Sequence, residues 1–460
     1  AFGELGNATT TASTVPVQVS GLTGIVQVAA GFYSSLALRS DGTVWAWGLN
    51  SVGELGDGTT INRTTPVQAV GLTKVTQIAT GGYHSMALRS DGTAVAWGYN
   101  GYGELGDGTT TNNRTTPVAV SGLTKVTHIA GGYYHSVALR SDGTAVAWGY
   151  NGSGELGDGT TTSRLTPVPV SGLTGVTQIS VGGHHSLAVR SNGTVVAWGY
   201  NGYGELGDGT TTSSSITVTV SGLTNIARVS AGYYHSVALR TDGTVVAWGY
   251  NTSGQLGDGT TTEHHTPVTV PGLSGVTQVS AGGYHTLSKE GPPELTAKAA
   301  ITGSGNVGAT LTCTAAFLTA TSISYTWLRD KTTIPGAATA TYVPVAGDAG
   351  HQVTCQVTGT NSAGSTDTSA TITIHAPAHF TAGTTPIAHV GTRYSHRFAA
   401  TGSPTPKIAL VSGTLPPGLK LAADGTLSGT PKRKGTYRFT LSATNGIGTP
   451  AKAGETVTVR

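Results

Sequence analysis

Four histidines each stand directly before a serine: His84-Ser85, His135-Ser136, His185-Ser186 and His235-Ser236. An imidazole and a hydroxyl are the raw material of nucleophilic catalysis, but a triad also needs the base to reach the nucleophile and an acid to orient the base. On a strand, sequence neighbours point to opposite faces, and no single-copy acid accompanies these pairs. A group repeated in copy after copy suits a structural hydrogen bond better than a catalyst. Glu263-His264-His265 and His184-His185 offer metal-binding side chains, but zinc needs three or four convergent ligands and these lie about 80 residues apart. Asp-Gly turns such as Asp57-Gly58 and Asp107-Gly108 lack the closely spaced oxygen ligands of a calcium loop. No glycine-rich nucleotide motif precedes a helix. The sequence therefore predicts a non-enzymatic protein with no metal and no cofactor.

Recognition chemistry is better supplied. The two positions before each recurring His read Phe32-Tyr33, Gly82-Tyr83, Tyr133-Tyr134, Gly183-His184, Tyr233-Tyr234 and Gly283-Tyr284. Tyrosine buries a large area at low entropic cost and keeps a polar handle. If these turns share one rim, they form an aromatic ring of uneven bulk. The candidate partner-binding residues are thus Phe32, Tyr33, Tyr83, His84, Tyr133, Tyr134, His135, His184, His185, Tyr233, Tyr234, His235, Tyr284 and His285. Tyr133, Tyr134, Tyr233 and Tyr234 are the expected centre.

The elements that must position them are repeated. Glu-Leu-Gly recurs at Glu4, Glu54, Glu104, Glu155 and Glu205, with Gln255-Leu-Gly, at intervals of 50 or 51 residues. The single one-residue insertion falls within 109–116. Each unit reads as four short strands, for example 66–70, 75–80, 85–89 and 93–97, the last two joined by the hairpin signal Asp91-Gly92. With 69 glycines and 10% charged residues, the composition favours turns and strands over a helical bundle or an α/β nucleotide-binding enzyme. Four strands per 50 residues is a propeller-blade signature. Trp47, Trp97, Trp148, Trp198 and Trp248 are its natural wedges between blades.

These residues, together with Gly-x-x-His-Ser, Asp-Gly-Thr-x-x-Ala-Trp-Gly and Glu/Gln-Leu-Gly, resemble the regulator-of-chromosome-condensation repeat. The resemblance covers 1–290 and implies a β-propeller, usually of seven blades. Six repeats less one closing strand give 23 strands where seven blades need 28. The sequence therefore predicts a ring that is open or short of a strand. It also predicts at least one further repeat upstream, whose Trp-Gly strand would pair with 280–287.

Pro292-Pro293 ends the repeat. Residues 294–375 hold Cys313, Trp327 and Cys355, spaced by 14 and 28, the arithmetic of an immunoglobulin-like sandwich. Asp348-Ala-Gly-His-Gln-Val-Thr-Cys355 and Asn361-Ser-Ala-Gly364 resemble bacterial immunoglobulin-like modules. The resemblance predicts a Cys313–Cys355 disulfide against Trp327, although Val353 stands where a tyrosine corner would begin. Residues 376–460 carry Leu415-Pro-Pro-Gly-Leu419 and Asp424-Gly-Thr-Leu-Ser-Gly-Thr-Pro431. They resemble putative-immunoglobulin, cadherin-like modules of bacterial surface proteins. With only Asp424 and Glu455 as acids, calcium is not carried over. The expected fold class is all-β, a propeller followed by two β-sandwich domains.

Charge divides unevenly. Residues 1–290 hold 12 Lys+Arg against 16 Asp+Glu, or −4; residues 291–460 hold 13 against 6, or +7. An acidic propeller is a poor partner for nucleic acid, and no apolar run is long enough to span a membrane. Residues 376–460 reach +8 through groups such as Lys432-Arg433-Lys434, which would suit an anionic cell-wall polymer. The cysteine pair favours an oxidising compartment. The expected function is an extracellular or cell-surface protein-binding module, with the propeller rim gripping a protein partner and the sandwiches as spacers. The alternatives are an inhibitor of a secreted enzyme, as in the propeller-type β-lactamase inhibitory protein, and a guanine-nucleotide exchange factor for a small GTPase. The latter's eukaryotic namesake uses a wedge and a basic tail that have no counterpart here.

Overall fold

The computed structural model describes residues 1–110 and 113–460. Residues 111 and 112, inside the stretch that holds the one-residue insertion, lie outside the described residues. The chain divides into two compact units, 1–290 and 291–460. Strands and turns make up both, and the one helical element among the described residues is a three-residue 3-10 turn, Ala346–Asp348.

The first unit contains five four-stranded antiparallel sheets and one two-stranded sheet. The second sheet is representative: Val75–Thr80, His84–Arg89, Ala94–Gly98 and Arg114–Ala119, from inner edge to outer. The outermost strand belongs to the start of the following sequence repeat, so repeat and sheet are offset by one strand. The strand near 66–70 accordingly runs Arg63–Gln68 and completes the first sheet. Two polar devices produce this offset. At the hairpin, Asp91 Oδ1 accepts from the Thr93 amide (2.9 Å) and hydroxyl (2.6 Å), and Gly92 takes φ +78°, as a tight turn requires. After the third strand, Asn100 Nδ2 donates to Asp107 Oδ1 (3.3 Å) and the Thr109 carbonyl (3.0 Å). Arg114 then pairs with Asp107 at 2.8 Å, bringing the chain back along the outer edge.

Adjacent sheets bury one another's faces. Trp97 packs among Leu36, Leu38 and Val44 of the first sheet, and Trp148, Trp198 and Trp248 repeat that placement. A buried indole N–H needs an acceptor. Trp97 Nε1 donates to the Glu54 carbonyl at 2.8 Å and Trp148 Nε1 to that of Glu104 at 2.7 Å. The expected wedges are therefore also staples.

The first unit holds 22 strands among the described residues, one fewer than counted from the sequence, because residues 15–19 form no strand. The sixth sheet has only Val276–Ala281 and Thr286–Glu290. Val28 in the first sheet is 70% exposed, whereas the corresponding Ile78 in the second is 1% exposed.

In the second unit, Glu294–Thr302, Leu311–Leu318 and Thr341–Tyr342 form one sheet. Thr332–Thr333, Ser322–Arg329, Gln352–Asn361 and Gly364–Thr373 form another. A disulfide joins Cys313 on the first to Cys355 on the second. Trp327, paired in register with Cys355, is buried beside both cysteines. Where a tyrosine corner is missing, Val353 is buried, while Arg329, Tyr342 and the Val345 amide converge on buried Asp348. Residues 376–460 build three small sheets around Phe398, Leu427, Phe439 and Leu441.

Candidate functional site

Each inner strand of the propeller runs into the Gly-x-x-His turn, so all six turns meet at one end of the unit. They surround a central pit of about 230 Å³ lined mainly by glycine pairs and by Phe32, Tyr133 and Tyr233. Glycine is needed there: a Cβ on Gly132 would lie 2.4 Å from the His135 ring and 2.7 Å from the Gly182 carbonyl.

The alternation between aromatic and glycine has a steric cause. A Cβ on Gly82 would lie 2.7 Å from the Tyr133 ring, and one on Gly183 would lie 2.7 Å from the Tyr233 ring. The large ring of one sheet covers the glycine of the sheet before it. Tyr133 and Tyr233 approach to 5.6 Å between centroids, and Phe32 contacts both, at 5.1 and 5.5 Å. Tyr133 and Tyr233 are half-buried and line the pit, while Phe32, Tyr33 and Tyr284 are exposed at 42%, 40% and 53%.

The histidines require a correction. His84, His135, His185 and His235 are buried and cannot belong to an exposed rim; His285 and His184 do reach solvent. His84 Nε2 meets Ser136 Oγ at 2.8 Å, and Ser136 donates to the Glu104 carbonyl at 3.0 Å. The serine oxygen therefore accepts from His84 Nε2–H. His135–Ser186, His185–Ser236 and His235–Thr286 repeat the link between adjacent sheets. Nδ1 of His84, His185 and His235 has no partner. Burial lowers their pKa to about 4, 3 and 4, so these rings are neutral. The hydroxyls of Ser136, Ser186 and Ser236 are equally buried and that of Thr286 half-buried, and the sequence's Ser–His pairs thus act as cross-sheet ties. His264 contacts Asp258 at 2.8 Å, taking the place of an arginine in the outer-edge clasp. No group of three His, Cys, Asp or Glu side chains among the described residues is placed to hold a metal.

Six tyrosines join the face that the turn motif alone did not reveal: Tyr99, Tyr102, Tyr150, Tyr200, Tyr203 and Tyr250. Their signal in the sequence is Trp-Gly-Tyr-Asn, with Asn-Gly-Tyr-Gly in two copies. All 13 tyrosines of residues 1–290, with Phe2, Phe32 and His184, form one network of ring contacts no longer than 6.5 Å. Beneath it lie Glu54, Glu104, Glu155 and Glu205, all buried, each with one carboxyl oxygen lacking a partner. Burial raises Glu104 and Glu155 to about 7 and Glu205 to about 8. In the second unit, Lys420, Ser428 and Ser395 share one exposed row.

Repeated four-stranded sheets around a pit, stapled by Trp-to-carbonyl and His-to-Ser links, define a β-propeller of the regulator-of-chromosome-condensation class. The RCC1-like domain model matches residues 1–288, and the chain belongs to that family; the Putative Ig domain model matches residues 376–460. The structure of human WBSCR16 is similar over 58% of this chain and 72% of its own, at 26% identity and TM-score 0.52. That of Prp20p from Saccharomyces cerevisiae is similar over 57% and 68%, at 26% identity and TM-score 0.50. Yeast RCC1 (Prp20) with bound Kap60 shares the fold at 24% identity and TM-score 0.51, over 63% and 70%. No curated protein matches the chain. No helix among the described residues is long and apolar enough to cross a membrane.

Proposed function

We propose that the aromatic end of the propeller is a protein-binding surface, displayed outside the cell with the two sandwiches as spacers. One observation carries this reading: every tyrosine and phenylalanine of residues 1–290 lies in a single network at one end. Packing alone gives no reason for such segregation, since the cores between sheets are filled by Trp, Leu, Val and Ala. Tyrosine is enriched where binding energy concentrates. The similar Prp20p is described as binding Gsp1p and histones, which supports a protein as the partner class. The Cys313–Cys355 disulfide supports an oxidising compartment. The basic 376–460 sandwich, at +8, adds a surface suited to an anionic wall polymer.

The test uses the full chain immobilised against culture supernatant, then the purified partner against Tyr133→Ala and Tyr233→Ala. Each change should weaken binding by about 2 kcal/mol, while Lys74→Ala and Lys125→Ala, at the opposite end, leave it unchanged. If the lysine changes weaken binding and the tyrosine changes do not, the assigned face is wrong. A captured secreted enzyme that loses activity would make the chain its inhibitor; a captured small GTPase would favour the exchange-factor reading.

A further inference from the structure

The departures from the 50-residue repeat themselves repeat. Tyr-Asn-Gly-Tyr-Gly-Glu-Leu-Gly occurs at 99–106 and again at 200–207, and Gly-Tyr-Tyr-His-Ser-Val-Ala-Leu-Arg at 132–140 and 232–240. In the intervening copy Ser153 replaces the second tyrosine of the first motif, and Gly183-His184 replaces both tyrosines of the second. Two equivalent clusters result. Tyr102 lies 5.3 Å from Tyr134 and 5.0 Å from Tyr150, with Tyr99 closing the group at 5.7 Å from Tyr134. In the second cluster Tyr203 lies 5.2 Å from Tyr234 and 4.8 Å from Tyr250, with Tyr200 at 5.9 Å from Tyr234. Under the first is Glu104, whose Oε2 accepts from the Tyr102 amide at 2.9 Å; under the second, Glu205 accepts from Tyr203 in the same way at 2.9 Å. Each is fully buried with Oε1 unpartnered, and each acts electrostatically on the tyrosines above it, Glu104 on Tyr99 and Glu205 on Tyr200 and Tyr234. The related Glu155 Oε1 lies 4.0 Å from Nδ1 of His184, a ring of the same face.

The field at this end is one-sided. Eleven of the sixteen acidic side chains of residues 1–290 lie at this end with only three arginines, Arg63, Arg114 and Arg164, although burial holds Glu104, Glu155 and Glu205 at about 7, 7 and 8 and so partly protonated at neutral pH. Each arginine is committed to an aspartate at 2.7 or 2.8 Å. The hairpin end instead has eight Lys+Arg, Lys289 included, against four Asp and Glu290. Ring faces carry negative potential and attract ammonium and guanidinium groups. The neighbouring amides are spent inside the loops: Asn100 and Asn201 bond Asp107 and Asp208 and are buried, so hydrogen bonds to a sugar would fall to the tyrosine hydroxyls.

We propose that the two tyrosine clusters are a matched pair of cation-accepting cups that take lysine or arginine side chains from a basic segment of a protein partner. This rests on the reading of the aromatic end as a protein-binding surface, and it adds the chemistry of the partner. Two cups joined through Tyr133 and Tyr233 favour a ligand presenting more than one cation.

Calorimetry on the full chain tests this with three probes: a ten-residue peptide with four lysines, its counterpart with glutamine at those positions, and a neutral glucan oligosaccharide. The lysine peptide is expected to bind at least tenfold more tightly than either other probe at physiological salt. Tyr102→Leu with Tyr203→Leu, which keeps apolar bulk at an exposed and a half-buried position but removes the ring faces, should weaken it about tenfold. Lys74→Ala with Lys125→Ala should have no effect. Equal binding of the glutamine peptide, preference for the oligosaccharide, or indifference to the leucine pair would overturn the cation cups. A partner that depends on Tyr133 and Tyr233 but presents a neutral surface would overturn them while leaving the protein-binding reading intact. Loss of that reading would instead appear as partner binding insensitive to Tyr133 and Tyr233.

Discussion

Replacing Glu205 by glutamine should stabilise the propeller at alkaline pH and leave it nearly unchanged at acid pH. The Glu205 carboxyl has one oxygen on the Tyr203 amide and the other unpartnered, in a fully buried site. Burial raises its pKa from 4.5 to about 8, so the folded chain holds this proton more tightly than the unfolded chain. Below about pH 4.5 both states are protonated and the group adds no pH dependence. Between 4.5 and 8 the unfolded chain releases the proton while the folded chain keeps it, and stability falls as pH rises. Above about 8 both are ionised and the loss levels off. At 1.36 kcal/mol per pH unit the ceiling is roughly 5 kcal/mol; with local relaxation, about 2–3 kcal/mol is expected at pH 9.

The chain already contains the neutral version. Gln255 occupies the equivalent position, and its Oε1 accepts from the Ser253 amide at 3.0 Å, so glutamine keeps the one hydrogen bond that Glu205 makes. Six of the seven tryptophans lie in residues 1–290, which lets tryptophan fluorescence report propeller unfolding in urea. Wild type and Glu205→Gln should have closely similar midpoints at about pH 4.5 and separate at pH 9, the variant being the more stable. A wild-type propeller equally stable at both pH values, or a variant less stable at pH 9, would refute the reasoning. Glu104 and Glu155, at about 7, should behave alike with a smaller effect.

Two further outcomes follow from single contacts. Reducing the Cys313–Cys355 disulfide, which closes a separation of 42 residues, should cost its sandwich about 3–4 kcal/mol. Hydrogen exchange should then accelerate in Gln352–Asn361 while the propeller strands keep their protection. Ser214 stands where the other outer-edge clasps have Arg63, Arg114, Arg164 or His264. Ser214→Arg should pair with Asp208 and raise propeller stability by about 0.5–1 kcal/mol, read as a shift in the urea midpoint.

The period of the sequence carried most of the architecture. A strand pattern recurring every 50 residues leaves few ways to bury both faces of each sheet, and the Cys313, Trp327 and Cys355 spacing placed the sandwich disulfide. The offset between repeat and sheet was not legible, because local patterning marks Arg63–Gln68 as a strand without saying which neighbour it joins. That choice is made by the Asn50, Asp57 and Arg63 clasp, whose members look like ordinary loop polarity until the loop is folded. The histidines were ambiguous for a related reason. Their recurrence marked them as structural, but whether they also reached the rim depended on the adjacent sheet, whose Ser136, Ser186, Ser236 and Thr286 draw them inward.

Subtracting the repeat to find the site removes more than scaffold. Tyr99, Tyr150, Tyr200 and Tyr250 sit in the Trp-Gly-Tyr-Asn segment and look like part of the scaffold because four copies agree. Only Tyr102 and Tyr203 stand out, and only when copies are compared two apart. Yet the clusters need both kinds of residue: the repeated tyrosines form the walls and the alternating ones supply the partners that convert a wall into a cup. The alternation is enforced from below, since Tyr133 and Tyr233 can lie flat only where the preceding sheet offers Gly82 and Gly183. Bulk at one turn therefore demands its absence at the turn before. A two-blade rhythm is the natural way for a propeller built from one repeat to vary its binding face while keeping its packing.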